Sequence, residues 1–346
     1  MLLRRAGTNA NASGALRTFC AAPRVPSFFR GVYPIVATPF NADETLDLQG
    51  FAKAISFMKA AGANGVTIVG VLGESNRMID AEREALIRTA VEAAADTPDF
   101  RVCVGTSHAG TAATAALSQM AQELGADAVM VTPTKEAAPT PDDALVGMYA
   151  RVAEVCPTLP IVLQDHPAST QVHMSVPLLA RIVREVPTVA CIKLESLPTP
   201  VKIASLRKMW AESPPLQDCT ILTGLGALYA GFDLEQGTEG FMTGFAFPEI
   251  LLAMNDAAQA GDFERVHELY ARFLPLLVFE QQPGVAVRKE LYRLRGLIEC
   301  GHVRHPAASA VSPTLAQALA AQIRRSLPGV DVTKPLAPAD LGASGS

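Results

Sequence analysis

A lysine at the end of a short apolar run can act as a nucleophile, and this chain has one at position 193. Residues 189–193 read Val-Ala-Cys-Ile-Lys, a pattern typical of a buried β-strand. Burial disfavours the charged ammonium of a lysine, and the neutral amine attacks a carbonyl carbon to form a Schiff base. Lys193 could instead extend its charged end to solvent, so the interpretation depends on the groups around it.

A carboxylate follows that lysine at a spacing that would place both side chains on one face of a strand. Glu195 lies two residues after Lys193. Side chains two apart on a strand face the same side, so we expect Glu195 beside the amine if strand geometry continues that far. There the carboxylate could hold the amine in place or serve as a general base.

The elements that would position these residues are alternating strands and helices. Repeated strand–helix units imply parallel pairing, because parallel strands need a crossover. Eight such units predict an α/β protein with a closed (β/α)8 or TIM barrel, rather than the alternative of an open, doubly wound sheet. No G-x-G-x-x-G motif follows an early strand. The expected strands are 31–38, 65–71, 101–105, 128–131, 159–164, 189–193, 220–223 and 240–243.

The barrel is expected to span residues 30–247, with other segments on either side. Residues 248–330 carry helical patterns alone and predict a C-terminal helical appendage, and residues 331–346 read as a loose tail. Residues 1–29 are rich in arginine, alanine and serine without an acidic residue. That composition fits a mitochondrial-type targeting segment, a disordered extension or an over-long predicted start.

Composition narrows the partners and the compartment. The net charge of −5 and the scattered basic residues argue against a nucleic-acid partner. No apolar run reaches membrane-spanning length, so no membrane partner is expected. The six cysteines lack C-x-x-C or zinc spacing, which predicts reduced, buried thiols, no metal and no cofactor. We expect a cytoplasmic protein, or a mitochondrial one if residues 1–29 are a targeting segment.

Active sites of (β/α)8 barrels lie at the carboxyl ends of the strands, so we searched those ends for chemistry. Several candidates also have a structural interpretation: Glu74 could satisfy backbone donors in a turn, Asp165 could shape its loop, and His108 could cap a helix. The catalytic candidates are Lys193, Glu195, Asp165, Gln164 and His166, and the substrate-binding candidates are Thr38, Gly73, Glu74, Ser75, Ser107, His108, Thr243 and Gly244.

Five segments, taken in order, resemble the dihydrodipicolinate synthase / N-acetylneuraminate lyase family. The resemblance runs from about Gly31 to Ile323 and implies a Schiff-base lyase on a (β/α)8 barrel. It further implies that Lys193 is the imine-forming lysine, that the 70–75 loop lies near the substrate carboxylate, and that the protein is a homo-oligomer, a dimer or tetramer. The segments are Ala37-Thr38-Pro39-Phe40, Gly70-Val71-Leu72-Gly73-Glu74-Ser75, Val131-Thr132-Pro133, Asp165-His166-Pro167-Ala168-Ser169 and Ile192-Lys193.

The chain departs from pyruvate-using members of that family at three places. Val71 and Leu72 replace a threonine pair, Thr134-Lys135 replaces a tyrosine after the Thr-Pro of the fourth strand, and Gln164 replaces a catalytic tyrosine. The proton relay of a standard aldolase or dihydrodipicolinate synthase is therefore missing from this sequence.

Other segments resemble a subgroup exemplified by L-2-keto-3-deoxyarabonate dehydratase: residues 164–169, residues 106–108 and Lys193-x-Glu195. That resemblance implies dehydration of a 2-keto-3-deoxy sugar acid. Lys193 would condense with the C2 ketone, Glu195 would remove a C3 proton, and Asp165, His166 or His108 would assist loss of the C4 hydroxyl. The alternatives are a pyruvate-dependent aldolase or dihydrodipicolinate synthase-like lyase with an altered relay, and a keto-acid-binding protein without turnover.

Overall fold

Eight parallel strands form the barrel that the sequence predicts. The computed structural model describes residues 24–133, 136, 139–213, 216, 218–281, 284–306 and 311–342. Each strand pairs with the next along the chain, β8 pairs with β1, and a parallel bridge between Ile35 and Thr67 joins the β1 and β2 segments. The strands are β1 Gly31–Val32, β2 Gly65–Ile68, β3 Arg101–Gly105, β4 Ala128–Val131, β5 Ile161–Asp165, β6 Val189–Leu194, β7 Thr220–Thr223 and β8 Gly240–Phe241.

Helices connect the strands and cover the outside of the barrel. No helix in the described part of the chain is long and apolar enough to cross a membrane. The helices are α1 Leu48–Ala60, α2 Asp80–Ala94, α3 Thr111–Glu123, α4 Asp142–Val155, α5 Pro167–Thr170, α6 Val176–Glu185, α7 Thr199–Glu212, α8 Ala230–Glu235, α9 Pro248–Gln259, α10 Phe263–Glu280, α11 Val285–Leu294 and α12 Pro313–Ser326.

Helix α9 belongs to the barrel rather than to the appendage. It follows β8 and packs against β1 and α8, which makes it the helix that closes the eighth strand–helix unit. Its buried side chains include Ile250, Leu251 and Met254. The predicted boundary at residue 248 therefore falls too early, and the appendage consists of α10, α11 and α12.

Strand alternation separates two cores. Met130, Val162 and Cys191 belong to a small apolar cluster inside the barrel, while their neighbours along the strands belong to the larger core between strands and helices. Successive side chains of a strand point to opposite faces, so each strand contributes to both cores. Lys193 continues the inward row that begins with Cys191.

The amino end of the barrel is closed by residues that the sequence placed in an extension. Phe29 is fully buried and its ring packs beside Tyr33, with Phe28 next to it. Arg24 donates hydrogen bonds to the carbonyls of Val183 at 2.7 Å and Val189 at 2.9 Å. Residues 24–29 therefore pack on the barrel, which corrects the expected extension through residue 29; residues 1–23 lie outside the described residues.

The segment after α12 is also packed, in contrast to the expected loose tail. The guanidinium of Arg295 donates to the carbonyl of Val332 at 3.0 Å, and the N–H of Leu336 donates to Glu249 at 3.1 Å. Leu336 and Leu341 are buried. Backbone groups of residues 331–342 thus hydrogen-bond to buried or half-buried charged side chains and hold this segment against α9 and α10. Residues 343–346 lie outside the described residues.

A buried aspartate between α7, α8 and β7 gives the fold a pH-dependent stability. Asp233 is 1% exposed, and it accepts hydrogen bonds from Thr199 at 2.7 Å and from Thr223. Burial raises its pKa from 3.8 to about 6, against the opposing effect of these two hydrogen bonds. The folded state therefore binds more protons than the unfolded state between these values, so the neutral form stabilises the fold at low pH.

We expect the stability contribution of Asp233 to be present below about pH 4 and to be lost as the pH rises through about 6. Asp233→Asn removes this titration, so its free energy of unfolding should improve relative to the wild type between pH 4 and pH 7.5, by up to about 3 kcal/mol. Urea unfolding at several pH values measures it, with the exposed Asp99→Asn as control. A difference between wild type and Asp233→Asn that is independent of pH would contradict the assignment.

Candidate active site

Lys193 and Glu195 meet at the carboxyl end of the barrel. Lys193 is 2% exposed and Glu195 is 7% exposed, and Nζ of Lys193 lies 3.3 Å from Oε2 of Glu195. Strand β6 ends at Leu194, but the N–H of Glu195 still donates to the carbonyl of Asp165 at 2.9 Å, so strand pairing extends by one residue. The two side chains therefore face the same side, as the spacing of two residues predicts.

Two further groups fix the carboxylate of Glu195. The Gln164 amide donates to Oε2 at 2.6 Å, and the backbone N–H of Leu225 donates to Oε1 at 3.0 Å. Gln164 lies opposite Lys193 in the register between β5 and β6. A Cβ on Gly224 would clash with the carboxylate of Glu195, so this position of the turn after β7 requires a glycine. The carboxylate is held from three strands at once.

Glu195 is ionised in this environment. Burial raises the pKa of the carboxyl, but the charges of Lys193 and His166 and the hydrogen bonds from Gln164 and Leu225 outweigh burial, so the net pKa is lower than usual. An ionised carboxylate 3.3 Å from the lysine amine can stabilise a cationic iminium and can accept a proton from a bound substrate.

His166 and Asp165 are consecutive and both interact electrostatically with Glu195, but the carboxylate of Asp165 is bound on the outer side of the barrel. His166 precedes α5, its Nδ1 lies 2.7 Å from Oγ of Ser169, and its charge acts on Glu195. Asp165 is fully buried on the outer face of β5, where Oδ2 lies 2.5 Å from Nζ of Lys202. Burial raises the pKa of Asp165, against the effect of Lys202. The structure thus separates Asp165 from Lys193, because the strand alternates.

The 70–75 loop is anchored to the C-terminal region through Glu74. Its carboxylate is buried, lies 2.5 Å from Nζ of Lys289 and 2.7 Å from Arg77, and accepts from the N–H of Arg304 at 3.0 Å. Burial lowers the pKa of Lys289 to about 8, against the effect of Glu74. Through these contacts Glu74 anchors the 70–75 loop, which is the structural role that the sequence offered for this residue.

Neighbouring candidates on the first two strands support the same loop. The hydroxyl of Thr38 donates to the carbonyl of Gly73 at 2.8 Å. The carbonyl of Ser75 accepts from Arg83 on α2. Through these backbone contacts Thr38, Gly73 and Ser75 fix the conformation of the loop beside the barrel mouth.

The third strand contributes one residue near the mouth and one on the outside. Oγ of Ser107 accepts from the N–H of Thr132 at 2.9 Å, which links the ends of β3 and β4. His108 is exposed, and its Nδ1 accepts from the N–H of Gly110 at 3.1 Å just before α3. His108 therefore folds back on its own loop. Thr134 and Lys135, which follow β4, lie outside the described residues.

The eighth strand brings in a residue that the sequence did not single out. Alternation after Met242 turns Thr243 outward and Gly244 toward the mouth. An ideal Cβ on Gly244 would lie 2.5 Å from Nη1 of Arg288 and 2.5 Å from Cδ1 of Leu72. Arg288 comes from α11 and is 1% exposed. The available signal was a charged pair, Arg288-Lys289, between the apolar residues of an amphipathic helix.

Three of the five tyrosine hydroxyls donate to backbone carbonyls. Tyr33 donates to the carbonyl of Phe28 at 3.0 Å, Tyr149 to that of Val131 at 3.1 Å, and Tyr270 to that of Leu228 at 2.5 Å. Among the described residues, His, Cys, Asp and Glu side chains form no group of three or more that could hold a metal ion. The ionisable groups that lower the pKa of Glu195 are the amine of Lys193 and the imidazole of His166.

A cavity of about 690 Å³ lies outside the barrel, along helix α9. Its lining includes Gly31 and Asn64, at the amino ends of β1 and β2, together with Glu249 and Arg265. Lys193 stands at a carboxyl strand end. Cavity size therefore does not locate the reactive groups, and the Lys193–Glu195 pair does.

The chain is similar in sequence to proteins of known name. The chain is 34% identical to an L-2-keto-3-deoxyarabonate dehydratase of Azospirillum brasilense over 84% of its length and 93% of that protein's. It is 28% identical to a 4-hydroxy-tetrahydrodipicolinate synthase of Rhizobium meliloti over 86% of its length and 98% of that protein's.

Solved structures match the whole barrel and the appendage. A dihydrodipicolinate synthase from Rhodopseudomonas palustris matches with a TM-score of 0.81 and 30% identity, over 88% of this chain and 100% of that one. YagE, a prophage protein from E. coli K12 in complex with pyruvate, matches with a TM-score of 0.77 and 26% identity, over 87% of this chain and 99% of that one. The family model of the dihydrodipicolinate synthetase family matches residues 28–325. The chain therefore belongs to the dihydrodipicolinate synthetase family and is a lyase.

Proposed function

We propose that the protein is a Schiff-base dehydratase that removes water from a 2-keto-3-deoxy sugar acid. The observation that carries this proposal is the ionised carboxylate of Glu195, 3.3 Å from the amine of Lys193 and held by Gln164 where a tyrosine would serve a standard relay. The similarity to a dehydratase of a 2-keto-3-deoxy acid supports it.

The first half of the reaction forms the imine. Lys193 passes a proton to Glu195, and the neutral amine attacks the C2 ketone to form a carbinolamine. The proton on Glu195 then moves to the carbinolamine hydroxyl, which leaves as water and gives an iminium. The positive charge arises beside Glu195, whose carboxylate stabilises it in a site with little access to water. The iminium withdraws electrons from C2 and thereby acidifies the protons on C3.

The second half breaks the C4–oxygen bond. Glu195 accepts a C3 proton, and the C–H electrons flow into an enamine. The enamine expels the C4 hydroxyl, which takes a proton and leaves as water, and a C3–C4 double bond remains. His166 is the proton donor that the placement favours, because its charge acts on Glu195, whereas Asp165 and His108 point elsewhere. Water then hydrolyses the conjugated iminium and frees Lys193.

Aldol cleavage is the second candidate, since the same iminium supports it. Relatives named 4-hydroxy-tetrahydrodipicolinate synthase and a neighbour bound to pyruvate favour this possibility. In an aldolase the C3–C4 bond breaks instead of the C4–oxygen bond. Membership of a lyase family argues against the alternative of a keto-acid-binding protein without turnover. A homo-oligomer remains a prediction, and one structural neighbour is described as a monomeric variant.

Replacing Lys193 by alanine should abolish covalent trapping. Borohydride reduces an iminium to a stable amine, so intact mass after treatment with pyruvate or a panel of 2-keto-3-deoxy sugar acids reports the adduct. We expect one adduct, mapped to Lys193, in the wild type and in the control Lys208→Ala, which changes an exposed lysine. An adduct of equal yield in Lys193→Ala would contradict imine formation at this residue.

Replacing Glu195 by glutamine should separate imine formation from proton transfer. Loss of a general base typically slows turnover by about 10²- to 10⁴-fold, while the amine of Lys193 remains able to condense. We expect a large loss of kcat with retained borohydride adduct. An unchanged kcat would remove Glu195 from the proton relay.

The products decide between dehydration and aldol cleavage. Dehydration keeps the carbon chain whole and yields an unsaturated intermediate or its tautomer, with a mass 18 Da below that of the substrate, as loss of one water requires. Mass spectrometry of the products, with a lactate dehydrogenase assay for pyruvate, measures both routes. Pyruvate in amounts equal to the substrate consumed would establish cleavage and overturn dehydration.

A further inference from the structure

Helix α11 places a buried guanidinium group at the mouth of the barrel. Arg288 is 1% exposed and packs through Nη1 against the position that an inward side chain of residue 244 would occupy. Leu72 contacts the same position from the 70–75 loop, and it packs on the apolar cluster inside the barrel. The guanidinium therefore lies over the carboxyl end of β8, although its helix is part of the appendage.

The order of strands places this group two strands away from the reactive pair, at the same end of the barrel. Lys193 and Glu195 stand at the end of β6, Gly224 follows β7 and contacts Glu195, and Gly244 follows β8. The glycine after β7 leaves room for the carboxylate of Glu195, and the glycine after β8 leaves room for the guanidinium of Arg288.

One nitrogen of the Arg288 guanidinium has no hydrogen-bond partner among the described residues. Nε of Arg288 donates to Oε1 of Glu280 at 2.5 Å, and Glu280 also accepts from the N–H of Ala246. Nη1 of Arg288 is buried without a hydrogen-bond partner among the described residues. A buried donor without a partner is costly, so such a group at a candidate site points to a ligand that completes its hydrogen bonds.

Three other buried cations of this region are already bound to acidic groups or carbonyls. Lys193 faces Glu195, and Lys289 binds Glu74 and the carbonyl of His302 at 2.7 Å. Arg295 binds Glu249 and the carbonyl of Ala246. Of these groups, Arg288 is the one with an unpartnered donor directed at the mouth.

We propose that Arg288 binds a carboxylate of the 2-keto acid that condenses with Lys193, and so acts as a specificity-determining residue. The inference rests on the proposed imine chemistry and adds the group that selects acids over neutral ketones. A guanidinium N–H forms a short, charge-assisted hydrogen bond with a carboxylate. Either the carboxylate next to the ketone or a second, distal carboxylate has this chemistry, and the experiment distinguishes the two.

The test measures the concentration of ligand that gives half-maximal borohydride trapping at Lys193. Three probes are used: pyruvate, 2-ketoglutarate and hydroxyacetone, which keeps the methyl ketone and lacks a carboxylate. For Arg288→Gln we expect the half-maximal concentration of pyruvate to rise roughly 10- to 100-fold, the range for losing one charge-assisted hydrogen bond. Hydroxyacetone should change less than about twofold, because it has no group for Arg288 to bind.

Two further variants keep the test interpretable if Arg288→Gln folds poorly. Gly244→Ala keeps the arginine but places a methyl 2.5 Å from Nη1, so it should displace the guanidinium and give the same selectivity loss. Arg295→Gln is the matched control: it removes a second buried arginine of this region and should leave the ratio of pyruvate to hydroxyacetone unchanged. Circular dichroism and thermal melts identify the folded variants.

Each outcome has a defined meaning. A selective loss with pyruvate assigns Arg288 to the carboxylate beside the ketone, and a loss confined to 2-ketoglutarate assigns it to a distal carboxylate. Equal losses with hydroxyacetone, or no loss at all in the folded variants, overturn the role of Arg288 alone. A wild-type protein that traps none of the three probes overturns the proposed function, and the inference with it.

Discussion

The ion pair between Lys193 and Glu195 is the constraint on which the rest of the site depends. Two opposite charges lie 3.3 Å apart at the mouth of the barrel, where each is nearly inaccessible to solvent. Burying either charge alone is unfavourable, so each requires the other and the polar groups that hold them. Gln164 and the N–H of Leu225 satisfy the carboxylate, and Gly224 leaves the space that it occupies. The same arrangement that makes this pair tolerable keeps a base beside the amine.

Periodicity in the sequence was sufficient for the barrel and for the central pair. Short apolar runs separated by helical stretches gave all eight strands, and the spacing of two residues placed Glu195 beside Lys193. The same rule, applied to β5, separates Gln164 from Asp165: register sets Gln164 opposite Lys193, so its neighbour must face the helices. Asp165 became a candidate because it is next to Gln164 in the sequence. Alternation along the strand turns its side chain away from Lys193.

The features of the fold and site that could not be predicted from the sequence depend on contacts between distant segments. Glu74 is held by Lys289 and by the backbone of Arg304, more than two hundred residues later in the chain. Arg288 reaches the end of β8 from α11, and residues 24–29 close the opposite end of the barrel. No local pattern encodes these contacts, because they arise from packing of the appendage and termini on a completed barrel. The one sequence feature that indicates such contacts is a pair of charged residues, Arg288 and Lys289, among the apolar residues of α11.

The appendage is therefore a component of the site as well as a cover for the barrel. Lys289 fixes the 70–75 loop through Glu74, while the adjacent Arg288 turns toward Gly244 and Leu72 of the same region. Consecutive helix residues project about 100° apart, which lets one turn of α11 reach the loop and the mouth together. Val71 and Leu72 bring apolar side chains to a loop where the resemblance implies hydroxyl donors, and the proposed role of Arg288 would supply a charged donor from another element. Helix α11 contacts the 70–75 loop through Lys289 and the end of β8 through Arg288. The position of the loop and the position of the Arg288 guanidinium therefore depend on the same helix, and neither contact involves Lys193 or Glu195.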